Sequence, residues 1–342
     1  MSKETHGSDS QVEGTNCAPE QVEANLKPVE DVRVVVVGSS NFDVVVNADR
    51  PPREGENILA TNLKFFPGGK GANQAVAVKR LGAQVTFIGA VGKDIIGDFL
   101  VGHLEASEIN THWVRREAEH SSGCAFISIY PSGNNSIVVD PGANRTLTAE
   151  DIDRAQQAIA EADAVLTVLE IPMETVEAVL RAGRKAGKLT VLDAGPPRQC
   201  STEILKLADI VSPNETELEA LSKEAVSGRE SIEKAARKLL GLGAETVVVK
   251  MGSDGSMLIT AGGATHFPAS KIKALDPTAA GDAFTAALTV RLAMGEKIEN
   301  AMRYANLAGA LAVTRLGALP SLPTREEVEA FATGAGSAQG QA

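Results

Sequence analysis

Cysteine is scarce and badly placed for cross-linking. Cys17, Cys124 and Cys200 are an odd number of widely spaced thiols with no C-x-x-C pair. That excludes a disulfide framework and suits a reducing, cytoplasmic compartment. The five histidines (His6, His103, His112, His120, His266) fall in no H-E-x-x-H or Cys/His spacing, so a zinc site is not expected. No apolar run approaches the about 18 residues of a membrane span. The N-terminus is acidic, with no basic segment leading into an apolar one, which argues against a secretory signal or transit peptide. Basic side chains are outnumbered 33 to 44, so nucleic acid and anionic membranes, which need clustered Lys and Arg, are disfavoured as partners. That acidity is uneven: residues 1–31 hold seven acids and two lysines, −5 of the net −11.

What is present is a chain of 342 residues with 43% hydrophobic side chains, enough for a large buried core. Residues 1–31 read as a flexible acidic tail and 333–342, rich in Gly, Ala, Ser and Gln, as a second one. Between them, β-branched runs at 32–37, 85–91, 164–169, 189–192, 210–211 and 246–249 alternate with helical patterns at 73–81, 150–162, 173–186, 215–221 and 232–242. Continuous apolar strands alternating with helices predict an α/β fold whose mostly parallel sheet is covered on both faces. Two stretches break the alternation, 43–47 with 64–66 and 125–130 with 136–139. They read as hairpin strands of a small separate sheet, suited to a lid or a dimer contact.

Two segments have the composition of ligand-binding loops. Pro67-Gly68-Gly69-Lys70-Gly71-Ala72-Asn73-Gln74-Ala75 places three glycines in four residues ahead of a helix, so backbone amides can approach a ligand closely. It is not a Walker A loop, because Gly71 stands where Ser or Thr would meet magnesium, and no G-x-G-x-x-G follows the first strand. Asp276-Pro277-Thr278-Ala279-Ala280-Gly281-Asp282-Ala283-Phe284 opens a helix with an apolar stripe at Phe284, Leu288 and Leu292. Its first turn offers unpaired N–H groups and roughly half a positive charge to an anion, and is cleared of bulk at Ala279, Ala280 and Gly281.

The first segment, with Gly82 and Gly92 downstream, and the second, through Leu288, resemble the two signatures of the PfkB-type sugar kinases. The resemblance covers about residues 32–330 of a kinase domain placed at 32–332, and Gly-Gly-Lys-Gly-Ala-Asn-Gln with Ala-Ala-Gly-Asp is most similar to the ribokinase branch of that family. It implies a Rossmann-like α/β body with a small β-sheet lid, and transfer of phosphate from ATP to the 5-hydroxyl of D-ribose. It further implies that Asp282 is the general base and that Ala279, Ala280 and Gly281 form the anion hole. Asn41, Phe42, Asp43, Gly69, Lys70, Gly71, Asn73 and Glu170 would line the sugar. Asn214 and Glu217, of an N-x-x-E motif, would organise Mg2+ and phosphates. Lys250, Met251, Gly252, Ser253, Asp254 and Gly255, with Gly281 and Asn306, would face ATP. An activating K+ would be held by Asp276, Thr278, Ala312, Arg315, Gly317 and Ser321, with Arg315 giving its carbonyl. Two lids clasping each other would make a homodimer.

Three positions depart from the family's usual pattern: Pro277 stiffens the loop before the anion hole, Phe42 is larger than the usual residue there, and Asp193 replaces a common Asn. They bear on which sugar is taken, so fructose, deoxyribose and nucleosides stand as alternatives. A non-catalytic sugar sensor is opposed by the joint presence of Asp282, Lys70, Asn73, Asn214 and Glu217. An NAD-dependent oxidoreductase is opposed by the missing dinucleotide loop.

Overall fold

A short strand that is apolar on both faces is stable only if helices cover both sides of its sheet. The computed structural model, which describes residues 26–334, has that architecture. β1 (Arg33–Val37) leads into β2 (Asn41–Asn47) and β3 (Thr61–Gly68), then α1 (Lys70–Arg80), β4 (Gln84–Gly92), α2 (Ile95–Ala106) and β5 (Asn110–Glu117). β6 (Gly123–Ile129) and β7 (Asn135–Asp140) form a hairpin ahead of the short helices α3 (Ala149–Arg154) and α4 (Gln156–Glu161). Alternation resumes with β8 (Ala164–Val168), α5 (Met173–Lys185), β9 (Leu189–Asp193), α6 (Thr202–Leu207) and β10 (Ile210–Ser212). Next come α7 (Glu215–Ser222), α8 (Arg229–Gly241), β11 (Thr246–Lys250), β12 (Ser256–Thr260) and β13 (Gly263–Phe267). Four helices close the fold: α9 (Ala280–Ala293), α10 (Ile298–Ala312), α11 (Ala318–Ser321) and α12 (Arg325–Ala332).

Nine strands make one sheet in the order β13-β12-β11-β10-β9-β8-β1-β4-β5, parallel except for the antiparallel β11–β12 and β12–β13 pairs. The period-2 alternation of β1 divides its valines: Val34 and Val36 enter one core layer with α1, α9 and α10, and Val35 and Val37 enter the other with α5 and α8. The chain runs outward from β1 through β4 to β5, then returns to β8 on the other side of β1. This reversal opens a crevice at the carboxyl ends of the strands, where ligands bind in open α/β sheets.

The remaining strands form a four-stranded sheet, β3-β2-β6-β7. The two expected hairpins are joined by parallel pairing of β2 with β6, from Asn41↔Gly123 to Asn47↔Ile129. Other expectations need adjustment. The helix expected at 150–162 is interrupted at Ala155, yet Ile152, Ala155 and Ile159 all remain buried in the same core layer. β5 has no apolar run because it is the sheet's edge strand, paired on one side only. The acidic tail assigned through residue 31 ends earlier than expected. Val29 is buried at the start of a short 3-10 turn, Val29–Asp31, and Lys27 pairs with Asp163 at 2.6 Å. Residues 1–25, which carry Cys17, and residues 335–342 lie outside the described residues. Among the described residues, no helix is long and apolar enough to cross a membrane.

Candidate active site

The crevice is built by letting α1 start against the end of β1. A Cβ on Gly71 would lie 2.7 Å from the backbone of Gly38, so neither position accepts a side chain. Gly69 caps α1 with φ 88° and offers no side-chain acceptor. That acceptor comes from across the sheet: the Glu170 carboxylate, just past β8, takes the Lys70 amide at 3.0 Å and the Ser39 hydroxyl. Ser39 is 1% exposed and was not singled out from sequence.

Asp282 lies in the first turn of α9 and is 4% exposed. Asn73 Nδ2 donates to its Oδ2 at 3.0 Å and Gln74 Nε2 to its Oδ1 at 3.1 Å, while Lys70 Nζ stands 4.0 Å away. Burial pushes its pKa above the ordinary carboxylate range; Lys70 pulls the other way, and Asp193 and Glu170 add to the rise. A carboxylate with a raised pKa is a better proton acceptor than a free one. Asn73 Oδ1, Gln74 Oε1 and Ser40 Oγ are buried with no hydrogen-bond partner. Such atoms are costly unless a ligand's hydroxyl or amide meets them. Ala279, at the cap, holds a left-handed φ of 60°, rare for a residue with a Cβ and a kind of strain that clusters at functional sites. The Phe284, Leu288, Leu292 stripe understates this helix, since every residue from Asp282 to Val290 is buried.

A second layer of charge lies behind Asp282. Asp193, fully buried at the end of β9, accepts from Lys250 Nζ at 2.8 Å, Thr285 Oγ1 at 2.7 Å and the Gly195 amide at 3.1 Å. Burial would raise its pKa, yet Lys250 and Lys70 hold it below the usual range. The N-x-x-E motif is a reciprocal cap of α7: Glu217 N donates to Asn214 Oδ1 at 2.8 Å, and Asn214 N donates to Glu217 Oε2 at 2.7 Å. Capping also fixes Glu217, 2% exposed, with Oε2 3.8 Å from Lys250 Nζ. Lys70 therefore faces four acids. Burial lowers its pKa, but Asp282, Asp193, Glu217 and Glu170 together lift it above the ordinary lysine value.

On the lid side, Asn41 Oδ1 accepts from Asn144 Nδ2 at 2.8 Å, and Asn144 Oδ1 accepts the Ser40 amide at 2.9 Å. Asn144, 1% exposed, is a buttress that the sequence reading did not pick out. The Asp43 carboxylate covers Gly68, where an added Cβ would meet it at 2.2 Å. Phe42 does not join this group. As Asp43's neighbour on β2 it points to the opposite face, stacking on Phe65 (5.4 Å) and edge-on to Phe99 of α2 (5.3 Å). It fastens the lid to the body.

Burial, with Glu170 nearby, pushes the Asp43 pKa up to about 7. A folded-state pKa above the unfolded value means stability that is present at low pH and lost as pH rises through about 7. Wild type is expected to lose stability from this group between about pH 5 and about pH 8, and Asp43→Asn to lack that part of the decline. Urea denaturation at both pH values checks it. Identical slopes for the two proteins would contradict it.

Beyond Asp282 the crevice widens into a cavity of about 810 Å3, lined by Asn214, Lys250, Gly252, Ser253, Gly255, the 269–274 segment, the α9 start, Asn306, Gly309 and Val313. Asn306 Nδ2 donates to the Phe267 carbonyl at 3.1 Å, which ties α10 to the end of β13. Two expected residues lie elsewhere. Met251 is buried in the core, and Asp254 faces Arg229 at 3.5 Å and accepts from or donates to nothing in the cavity lining. The 269–274 segment was not foreseen; it has no motif. A further cavity, about 560 Å3, opens at the opposite end of the sheet around Arg33 and Trp113 and contains no motif residue.

The C-terminal loop comes to the same helix end. Asp276 Oδ2 accepts the Gly317 amide at 2.8 Å, and Oδ1 accepts the Thr278 amide at 2.9 Å and its hydroxyl at 2.6 Å. Burial opposes ionisation, but these donors hold the Asp276 pKa below the usual range. The Arg315 guanidinium turns away to Glu327, the Ala312 carbonyl accepts the Arg315 amide at 3.3 Å, and buried Ser321 donates to the Ala318 carbonyl at 2.7 Å. Carboxylate and main-chain carbonyl oxygens are hard donors, the kind that suit a hard cation, but here both Asp276 oxygens face N–H and O–H donors.

The chain matches the family model described as pfkB family carbohydrate kinase over residues 31–325. It is 37% identical over 298 residues to a ribokinase of Staphylococcus aureus, covering 86% of this chain and 98% of that one. A deoxyribokinase of Salmonella typhi is 35% identical over 299 residues, 87% of this chain and 98% of that one. The solved structure of Arabidopsis thaliana ribokinase complexed with ribose and ATP is similar with a TM-score of 0.81 at 36% identity, covering 87% of this chain and 97% of that one.

Proposed function

The chain belongs to the pfkB family of carbohydrate kinases, and from that membership we propose that it transfers the γ-phosphoryl group of ATP to the 5-hydroxyl of D-ribose. The observation that carries the reading is the buried Asp282 at the start of α9, between the lid-side polar groups and the 810 Å3 cavity. Ribose fills the space beside Asp43, Gly69, Asn41 and Asn73, where its hydroxyls satisfy the unpartnered Asn73 Oδ1 and Ser40 Oγ. ATP occupies the cavity, with its γ-phosphate at the 279–281 amides. Asp282 takes the sugar proton while the amides stabilise charge on the transferring group. Asn214 and Glu217 would hold Mg2+, partly through water, where it would supply neutralisation of phosphate charge. Asp276 and the carbonyls of Thr278, Ala312, Arg315 and Gly317 would hold K+ near the start of α9, with Ser321 beneath the loop.

Deoxyribose is the second reading, favoured by the Salmonella relative's name. A coupled ADP-release assay over ribose, deoxyribose, fructose and inosine, with and without K+, separates them. Ribose is expected to have the highest kcat/KM, and K+ to raise turnover. A higher value for another sugar would replace ribose, and turnover indifferent to K+ would remove the cation site.

Two finer points complete the reading. The enzyme acts in the cytoplasm, consistent with the free thiols Cys124 and Cys200. It dimerises through the lid. Phe65, Val44, Phe126 and Val138 are cross-strand neighbours in one row on the face away from Asp43. Phe65, Phe126 and Val138 in that row are 54%, 52% and 69% exposed, and a contiguous apolar row of this kind marks an interface. Sedimentation of wild type as a dimer and of Phe126→Glu as a monomer is expected; a monomeric wild type would overturn it.

A further inference from the structure

Lys250 is where the geometry departs from a merely backbone role. Its loop offers glycines to a nucleotide, but its side chain runs back beneath the first turn of α9. Nζ is 2.8 Å from Asp193 Oδ2, 3.5 Å from Thr285 Oγ1 and 3.8 Å from Glu217 Oε2. A methyl group placed on Gly281 would lie 3.7 Å from both its Cδ and its Nζ. The residue is only 9% exposed, yet it lines the nucleotide-side cavity together with Gly281 and Asp282.

A buried ion pair is a weak way to gain stability, because desolvation cancels much of the attraction and an apolar pair of similar volume does as well. Here the pair has a second use. Asp282, Asp193, Glu217 and Glu170 converge, and among the described residues Lys70 and Lys250 are the cations set between them. Left so acidic, the site repels a polyphosphate. Asp193, held by the Thr285 hydroxyl and the Gly195 amide, fixes one direction of the Lys250 ammonium. An ammonium has three donors in all; Asp193 Oδ2 and Thr285 Oγ1 take two, which leaves one for a ligand in the cavity that Lys250 lines.

We propose that the Lys250 ammonium, positioned by Asp193 and Thr285, contacts the transferring phosphoryl group and neutralises the charge developing on it. The inference rests on the phosphotransfer reading above. In that step the sugar oxygen bonds to the γ-phosphorus and its proton passes to Asp282. The bond from that phosphorus to the β–γ bridging oxygen breaks, and ADP leaves with the electron pair. Lys250 is then a catalytic residue; Asp193 and Thr285 are positioning residues.

The test compares wild type, Lys250→Met, and the double variant Lys250→Met/Asp193→Asn, which removes the Asp193 carboxylate that loses its nearest partner, should the single variant fold poorly. Calorimetry with ATP and ADP, without sugar, is expected to show ATP affinity falling about tenfold and ADP affinity unchanged in both variants. Turnover of ribose is expected to fall about 10²-fold, with the sugar KM little changed, and to stay low in the double variant although its melting temperature recovers. Double-variant turnover within about threefold of wild type, or equal loss of ATP and ADP affinity, would overturn the proposal by making the pair structural. If wild type fails to phosphorylate ribose, the sugar assignment falls, and the ATP-against-ADP difference still decides the role of Lys250.

Discussion

Asp282→Asn is expected to lower kcat by roughly 10²–10⁴-fold, the contribution of a positioned general base, while the protein folds as wild type does. The fold survives because the substitution is isosteric and its neighbours can adapt. Asn73 and Gln74 each donate to the carboxylate and each keep a buried acceptor oxygen without a partner. A 180° turn of either amide presents that oxygen to the new NH2 group. Stability is expected to be equal or higher, since burial already penalises the ionised form of Asp282 and an amide removes the penalty. ADP release measured beside thermal unfolding checks both halves. Turnover within tenfold of wild type would sink the assignment of the base.

Lys70→Met has the second largest expected effect, and it reaches stability as well as turnover. Removing one partner of a fully buried ion pair costs about 3–5 kcal/mol. The cost is somewhat smaller here, because the Lys70 side chain keeps 27% of its surface exposed. The sign of the pH dependence follows from the neighbours. Without Lys70 the folded-state pKa values of Asp282 and Asp193 rise, since it now lowers both. An acid with a raised folded-state pKa contributes stability that is present at low pH and lost as pH climbs. The deficit relative to wild type is therefore expected to be small near about pH 5 and large near about pH 8. Denaturant titrations at the two pH values measure it, and a deficit independent of pH would refute the four-acid arrangement.

The site was legible where a single segment carries both its parts. In Gly69 to Gln74 the glycines, Lys70 and Asn73 are contiguous, and α1 delivers them together. Gln74 shares that segment and was passed over, although its place beside Asn73 at a helix start was a usable signal. N-x-x-E was too short to carry meaning, and it is a cap first. Phe42 was misplaced despite an available signal, since adjacent residues on a strand face opposite ways. Ser39 and Asn144 had none, being small polar residues whose partners lie 131 and 104 positions away.

By itself the sequence determined the architecture and which loops have the composition for close approach of a ligand. Apolar strands alternating with helices admit few solutions, and the glycine and small-residue loops fall at strand and helix ends. Only the tertiary structure decided how charge is shared. Lys70, Asp193, Glu217, Lys250 and Asp282 are scattered over more than half of the chain. They meet because parallel strands stack their carboxyl ends at one edge and α9 begins there. No local pattern encodes that meeting, since each residue alone reads as an ordinary polar side chain at the end of a strand or the start of a helix. The strength of their interactions comes from burial, which exists only once the chain is folded.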